Sequence, residues 1–302
     1  MNGNGSVPLP RWDNATVVVE SPGAGPGYWA GAPSAVVADG VFYLAYRLRR
    51  PLSDGRGFAT VVARSDDGER FETLLELDRD DFAAESLERP ALVVTPDGMW
   101  RLYMSCATPG TLHWRVDVLE ASGPAGFDPN RRRTVLAGQE TTAVKDPVLT
   151  WDGEIWHLWI CVHSIGVPTE ADRMFTCYAT SHDGLDWKWH GIALAGREGA
   201  WDARGARITA VLLDQPEPVA YYDGRADAAQ NWEEHTGLAI GNGPGRFRAQ
   251  SDQPVAVSPH EGGGLRYVSV VRLPDGGSRI YYEGTRRDGA HNLRTEYVPP
   301  TR

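Results

Sequence analysis

Short apolar stretches joined by Asp-Gly turns recur along this sequence. Residues 31–46, 88–105 and 145–160 each contain an apolar stretch, an Asp-Gly pair and a second apolar stretch. Each copy also has a proline near its start, and these prolines are 57 residues apart: Pro33, Pro90 and Pro147. Asp-Gly between apolar stretches is a strong signal for a β-hairpin. The pattern therefore predicts repeated pairs of antiparallel strands.

Two weaker copies and a second motif complete the repeat. Residues 206–222 have Asp-Gln-Pro where the other copies have Asp-Gly, and residues 265–283 have Asp-Gly again. The pattern Ser-x-Asp-Gly-x-x-aromatic occurs at 65–71 and 181–187. In such a turn the Asp side chain bonds the backbone and Gly adopts a positive φ. We therefore expect about four strands in each unit.

Units of this kind at a period of roughly 60 residues predict an all-β fold, a five-bladed β-propeller with four antiparallel strands per blade. The predicted blades of this single domain, 1–302, span roughly residues 29–75, 88–136, 145–195, 204–250 and 264–298. The last blade lacks an outer strand, so we expect residues 16–20 to join it and close the ring. A two-sheet sandwich would leave the 57-residue spacing unexplained. Helical periodicity is nearly absent, with one turn expected within residues 80–87.

Composition narrows the function classes. The formal net charge of −10 disfavours nucleic acids and anionic membranes as partners, and no apolar run approaches the ~20 residues of a membrane span. Cys106, Cys161 and Cys177 form no disulfide pattern and indicate a reducing compartment. Residues 1–8 contain neither a basic region nor an apolar stretch, so we expect no signal peptide and a cytoplasmic protein. The expected partner is a small-molecule or glycoside ligand, and the oligomeric state stays open.

Propeller geometry predicts where a site would lie. The first strand of each blade starts at one face of the disc and the second returns to it, so both ends meet around a central pocket. The candidate catalytic carboxylates there are Glu88, Asp146, Asp223 and Glu283. The candidate substrate-binding cations are Arg89, Arg207, Arg225, Arg266 and Arg286, and we expect Arg89, Arg207 and Arg266 to share one register position. Arginines depress the pKa of neighbouring carboxyls and can hold a carboxylate, sulfate or phosphate bidentately.

Aromatic and histidine residues add further candidates. Tyr28 and Trp29, in the Gly-rich segment before the first blade, are the best placed to stack on a sugar ring. His163 ends a second strand at the pocket face and is a candidate general acid or base, or a ligand of a central structural cation. No zinc spacing, P-loop or Gly-x-Ser-x-Gly is present, so we expect no cofactor and assign no metal ligands.

The chain resembles the five-bladed glycoside hydrolases of families 43, 32 and 130. The resemblance rests on the repeat, the Lys145-Asp146-Pro147 strand start and the Ser-x-Asp-Gly-x-x-Trp turn. In family 43 an acidic residue opens the inner strand of blades one, three and four. The resemblance makes Asp146 the residue of blade three that orients the acid. The other two positions fall at Gly31-Ala32 and near Arg207, where no acidic residue stands.

Three functional hypotheses follow. The leading one is an enzyme that acts on a small, anionic or otherwise decorated glycoside by carboxylate acid/base chemistry in the axial pocket. One of Glu88, Asp223 or Glu283 would be the acid and another carboxylate the base. The second is a divergent propeller enzyme of secondary metabolism, a lyase or cyclase. The third is a propeller that binds carbohydrate without catalysis.

Overall fold

A computed structural model describes residues 7–300 of the chain. The expectation about a signal peptide rests mainly on residues 1–6, which lie outside the described range. Strands dominate the structure, and the helices are single turns of 3-10 helix: Trp12–Asn14, Leu52–Asp54, Arg79–Phe82, Pro129–Arg131 and Pro168–Glu170. The turn expected within residues 80–87 is thus confirmed at Arg79–Phe82. Within residues 7–300, no helix has the length and apolar character to cross a membrane.

The strands pair antiparallel in chain order and form groups of four. Strand β1 is Thr16–Val19, and the first group is β2 (Trp29–Ala38), β3 (Val41–Arg49), β4 (Gly57–Ser65) and β5 (Glu72–Asp78). The second is β6 (Ala91–Val94), β7 (Trp100–Ala107), β8 (Trp114–Ala121) and β9 (Arg133–Leu136). The third is β10 (Thr142–Trp151), β11 (Trp156–Ser164), β12 (Met174–Ser181) and β13 (Lys188–Leu194). The fourth is β14 (Gly205–Leu212), β15 (Val219–Arg225), β16 (His235–Gly241) and β17 (Phe247–Ala249). The last is β18 (Leu265–Arg272), β19 (Ser278–Thr285) and β20 (His291–Val298), with β1 as its fourth strand.

The two ends of the chain meet in the last group of strands. β1 pairs antiparallel with β20, with Thr16 opposite Thr295. The predicted pairing of the N-terminal strand with the last strand is therefore confirmed. β20 also contacts the first group, because Trp29 of β2 pairs with His291.

Apolar side chains pack between consecutive groups. Ala45 and Val62 of the first group pack with Leu92 and Leu102 of the second, for example, and three further clusters join the second to the third, the third to the fourth and the fourth to the last. A fifth cluster joins the last group to the first through Tyr281, which packs near Leu44. The core is thus a series of layers between sheets, held by burial of apolar surface.

The Ser-x-Asp-Gly turns are held by the preceding group of strands. Tyr103 and Arg101 on β7 donate hydrogen bonds to the carbonyls of Gly184 and Asp183, in the turn of the third group. Tyr281 on β19 likewise donates to the carbonyl of Gly68 over 2.9 Å. These turns connect neighbouring groups of strands, in agreement with a structural role.

A β-bulge near the start of most first strands decides which side chains face the centre. Gly31, Lys145 and Arg266 pair with the second strand just before a bulge, and the residues after them, Ala32, Asp146 and Tyr267, have positive φ. A bulge adds one residue to one strand and shifts its side-chain alternation.

The bulges also correct the predicted register. Arg207 pairs with Asp223, and Arg266 pairs with Glu283. In the second group Glu88, not Arg89, donates its N–H to the facing strand, at the Ser105 carbonyl. Arg207 and Arg266 are therefore equivalent to Glu88, and the prediction that Arg89 shares their position is wrong. The alignment was one residue out: Arg207 and Arg266 lie in the paired position, and Arg89 lies one residue after it.

Candidate functional site

The starts of the first strands and the ends of the second strands surround a small cavity of about 40 Å³, here called the inner cavity. Its wall consists of Trp29, Arg47, Arg49, Arg56, Glu88, Lys145, His163, Met174, Arg207, Arg225, Asn231, Trp232, Glu234, Arg266 and Tyr267. A larger pocket of about 380 Å³, the outer pocket, shares Trp29, Arg49, Asn231 and Trp232 with this wall. The shared residues show that the two spaces adjoin.

Arg47 and Arg207 each hold two carboxylates at the inner cavity. Arg47 bonds Glu88 through Nη1 and Glu283 through Nη2, the latter over 2.8 Å. Arg207 lies 3.0 Å from Asp146 and 2.7 Å from Asp223. All of these side chains are buried, so the pairs act in a region of low effective dielectric.

Glu234 connects the remaining arginines. It lies 2.5 Å from Arg225, also bonds Arg266, and is 3.8 Å from Arg207. Arg266 in turn lies 2.7 Å from Glu283. The carboxylates and arginines thus form one continuous network around the cavity.

The network keeps most of its carboxyls ionised. Burial acts to raise the pKa of Glu88, but Arg47, Lys145 and Arg49 outweigh it and hold that pKa at about 2. Burial likewise opposes ionisation of Glu234 and Glu283, yet the adjacent arginines hold the pKa of both well below its ordinary value. Both carboxylates of the cavity wall, Glu88 and Glu234, are therefore negatively charged at neutral pH.

Asp223 differs from the other carboxyls of the network. Burial raises its pKa to about 6, with Arg207 opposing this rise and Glu234 adding to it. Its two oxygens accept the N–H of Tyr267, at 3.0 and 3.2 Å, besides the Arg207 bonds. Asp223 is thus the carboxyl in this network that changes charge near neutral pH.

Glu283 occupies the place of the missing acidic residue in the first group. A Cβ built on Gly31 would lie 2.0 Å from Oε2 of Glu283 and 2.5 Å from its carboxyl carbon. The glycine therefore makes room for a carboxylate that reaches across from β19. His291 fixes that carboxylate further, with Nδ1 2.7 Å from Oε1.

Most of the predicted site residues meet at the inner cavity. Glu88, Arg207, Arg225, Arg266, Trp29 and His163 lie in its wall. Asp146, Asp223 and Glu283 lie directly behind the wall, each in contact with one of its arginines. Burial, followed by Lys145 and Arg225, lowers the pKa of His163 to about 3, so this imidazole is neutral.

Three predicted binding residues lie elsewhere. Because successive side chains of an extended segment point to opposite sides, Arg89 points away from the face that Glu88 lines. It donates to the carbonyls of Pro33 and Thr209 and lines a separate cavity of about 130 Å³. Arg286 follows β19 and bonds Asp288 over 3.0 Å, and Tyr28 bonds Asp54 over 3.3 Å; neither lies in the cavity wall. Both stand in loops beyond the strand ends.

Glu234 and Arg49 were missed by the sequence reasoning. Glu234 stands in the loop before β16, outside the strand ends from which candidates were drawn. Its signal in the sequence is the run Trp232-Glu233-Glu234, two acids beside an aromatic residue. In the structure, Trp232 has a strained φ of 80°. Arg49 lies two residues after Arg47 on β3 and so points to the same face. Among residues 7–300 no cluster of three or more His, Cys, Asp or Glu side chains is arranged to hold a metal ion.

Comparison with known proteins gives likeness in structure only. No family model matches the sequence, and no curated protein matches it. A thermostable family-43 glycoside hydrolase aligns with a TM-score of 0.68 at 13% identity, over 89% of this chain and 88% of that one. The Bombyx mori family-32 β-fructofuranosidase BmSUC1 aligns at 0.67 and 15% identity, over 94% of this chain and 61% of that one. The β-1,2-mannobiose phosphorylase of Listeria innocua aligns at 0.63 and 12% identity, over 95% and 92%. The predicted resemblance is thus confirmed at the level of the fold, which this chain shares with glycoside hydrolase-like enzymes of families 43, 32 and 130.

Proposed function

We propose that the groups of four strands are the blades of a closed five-bladed propeller. One support is that the last group packs on the first. The other is a second cavity, opposite the inner one, which is lined by residues of all the first strands: β2, β6, β10, β14 and β18. Arg89 spans this second cavity, because it donates a hydrogen bond of 2.7 Å to the carbonyl of Thr209 in the fourth group.

We propose that this protein is an enzyme that cleaves the glycosidic bond of a small glycoside at the junction of the outer pocket and the inner cavity, with the sugar ring in the outer pocket. The observation that carries the proposal is the pair of ionised carboxylates, Glu88 and Glu234, in one wall beside a pocket of sugar-binding character. Trp29 and Trp232 border both spaces, and Trp232 is 37% exposed, so its ring is free to stack on a sugar. At about 380 Å³ the outer pocket falls in the usual size range of small-molecule sites.

The charge of each residue decides its proposed catalytic role. Glu88, with a pKa near 2, is the base or nucleophile. Glu234 is the second carboxylate, and it becomes the acid when a bound substrate brings further negative charge near it and raises its pKa. Asp223 affects Glu234 through Arg207, which both contact. Asp146 holds Arg207 and Lys145 in position, 3.0 and 3.6 Å away.

The test is turnover of a panel of aryl glycosides and disaccharides by the wild-type protein and by Glu88→Gln and Glu234→Gln. We expect at least one substrate to be cleaved, and each variant to lose activity by about 10²-fold or more, the scale of acid/base contributions. Glu69→Gln, at a half-exposed ion pair with Arg279 outside the site, is the matched control and should retain full activity. Circular dichroism and melting temperature show whether each variant is folded.

The other hypotheses predict different results in the same experiment. A lyase or cyclase would release an unsaturated or cyclised product, which mass spectrometry detects as a mass that lacks the added water. A protein that only binds carbohydrate would show saturable binding with no product, and the glutamine variants would change affinity alone. Undiminished turnover in both variants would exclude the proposed roles of Glu88 and Glu234.

A further inference from the structure

The inner cavity contains more positive charge than the nearby carboxylates balance. Its cationic wall residues are Arg47, Arg49, Arg56, Lys145, Arg207, Arg225 and Arg266. Glu88 and Glu234 share the wall, and Asp146, Asp223 and Glu283 lie behind it in contact with these arginines. Asp172, 4.0 Å from Arg225, is itself held by Arg204 at 2.7 Å. Within residues 7–300, two cationic charges of the wall are therefore left without a carboxylate.

Arg49 is the clearest of the unbalanced cations. Its side chain is 1% exposed, and among residues 7–300 it has no hydrogen-bond or ion-pair partner. Its guanidinium contacts two indole rings, 3.8 Å from the centre of Trp29 and 4.9 Å from that of Trp232. Burial lowers the pKa of Arg49 to about 9, so the group is still charged at neutral pH.

Arg56 is the second unbalanced cation. In the described part of the chain its side chain pairs with no carboxylate, and its Nε is buried without an acceptor. Its φ of 58° is rare for a residue with a side chain, so the loop holds it in a strained conformation. The guanidinium faces Trp114 at 5.6 Å. The end of β3 and the loop that follows it therefore each place an unpaired arginine at the same cavity.

An uncompensated buried charge destabilises a folded protein unless a partner supplies the opposite charge. A guanidinium pairs best with a planar or tetrahedral oxyanion, which accepts two parallel N–H bonds. At about 40 Å³ the inner cavity has room for roughly three water-sized groups, enough for an oxyanion but too little for a sugar ring. Charge, donor geometry and size all match an anionic substituent.

We propose that the inner cavity is an anion subsite, where Arg49 and Arg56 bind the carboxylate, sulfate or phosphate group of a glycoside whose sugar ring lies in the outer pocket. The position of the sugar rests on the proposed function, whereas binding of the anion does not require catalysis. Trp29 and Trp232, which border both spaces, would contact the junction between sugar and anion.

The test measures binding of sulfate, inorganic phosphate, glucuronate and glucose 6-phosphate by calorimetry at pH 7, with glucose and chloride at matched ionic strength as controls. We expect saturable binding of the oxyanions, tighter for the two anionic sugars than for the free ions, and none for chloride or glucose at the same concentrations. Tighter binding of the free ions would contradict the placing of the sugar, and equal binding of glucose and glucuronate would overturn the subsite.

Arg49→Met is the variant that decides the role of the arginine, because methionine keeps the apolar contacts with the indole rings and removes the charge. We expect it to weaken oxyanion binding by about 10- to 100-fold, the scale of charged hydrogen bonds. It should also raise the melting temperature in anion-free buffer, since it removes an unpaired buried charge. A purely structural arginine predicts the reverse, a lower melting temperature and unchanged affinity. Arg286→Met, at an arginine outside the cavity, is the matched control and should bind the anions as the wild type does.

Failure of this proposal and failure of the proposed function give different results. If anions bind through Arg49 but no glycoside is cleaved, the subsite stands and the catalytic proposal falls. If glycosides are cleaved and Arg49→Met turns over anionic and neutral ones at the wild-type kcat/KM, the subsite is refuted and the catalytic proposal stands.

Discussion

Substitution of Asp223 by asparagine should change how the stability of this protein depends on pH. Burial raises the pKa of Asp223 to about 6 in the folded chain, whereas an unfolded chain has an aspartate pKa near 3.9. Between about pH 4 and pH 6 the folded protein thus holds a proton that the unfolded chain has lost. Stability contributed by this group therefore falls as the pH rises through that window.

The size of the effect follows from the difference in pKa. A shift of about two pKa units at roughly 1.4 kcal/mol each corresponds to a loss on the order of 3 kcal/mol, complete above about pH 6. An asparagine side chain at this position cannot ionise, so the variant lacks this loss. We expect the free energy of unfolding of the wild type, minus that of Asp223→Asn, to decrease by about 2 kcal/mol from pH 4 to pH 7, because at pH 4 the unfolded aspartate is already about half ionised.

Urea unfolding at several pH values, followed by tryptophan fluorescence and circular dichroism, measures this difference. The eleven tryptophans provide the fluorescence signal. Asp67→Asn is the control of opposite sign, because backbone N–H groups of Arg70 and Glu69 lower the pKa of Asp67, whose stabilisation is lost only as the pH falls below its unfolded value. A wild-type minus Asp223→Asn difference that stays level or rises from pH 4 to pH 7 would show that Asp223 is not held protonated by burial.

Three further predictions concern the structure around the site. Tyr103→Phe and Tyr281→Phe each remove a buried hydrogen bond to a turn carbonyl, of 2.8 and 2.9 Å respectively. Each should lower the free energy of unfolding, measured by urea titration, by about 1–3 kcal/mol. Tyr297→Phe, at an exposed phenol, should lower it much less. Gly31→Ala forces a Cβ to within 2.0 Å of the Glu283 carboxylate and should lower the melting temperature by several degrees. Gly123→Ala, where an added Cβ meets no atom within 4 Å, is the control, and equal melting temperatures for the Gly31 variant and the wild type would refute the tight packing. All three thiols are free, and burial raises the pKa of Cys161 to about 12 and that of Cys177 to about 11. A disulfide-exchange reagent at pH 8 should therefore label the native protein slowly and react with three thiols per chain after unfolding. Fewer than three reactive thiols after unfolding would indicate a disulfide.

The identity of the wall residues could be predicted from the sequence where strand ends alone decide it. Glu88, Arg207, Arg225 and Arg266 were found because the repeat placed them at the starts and returns of hairpins. Arg286 and Tyr28 were placed wrongly because they stand in loops, whose paths the repeat does not describe. Glu234 was missed for the same reason, although it contacts three arginines of the site.

The periodic pattern of apolar residues and Asp-Gly turns determined the all-β class and the hairpins, because local turn chemistry and side-chain alternation act over a few residues. The pairing of the N-terminal strand with the last strand was predicted from the repeat count, because the last unit lacks an outer strand. The bulges that follow Gly31, Lys145 and Arg266 shift the side-chain alternation of the first strands, and only the tertiary structure decided which neighbour of each pair faces the inner cavity. It also decided the charge of the site. Arginine and carboxylate counts along the chain do not say which charges pair, and the unpaired state of Arg49 follows from the position of every carboxylate around it.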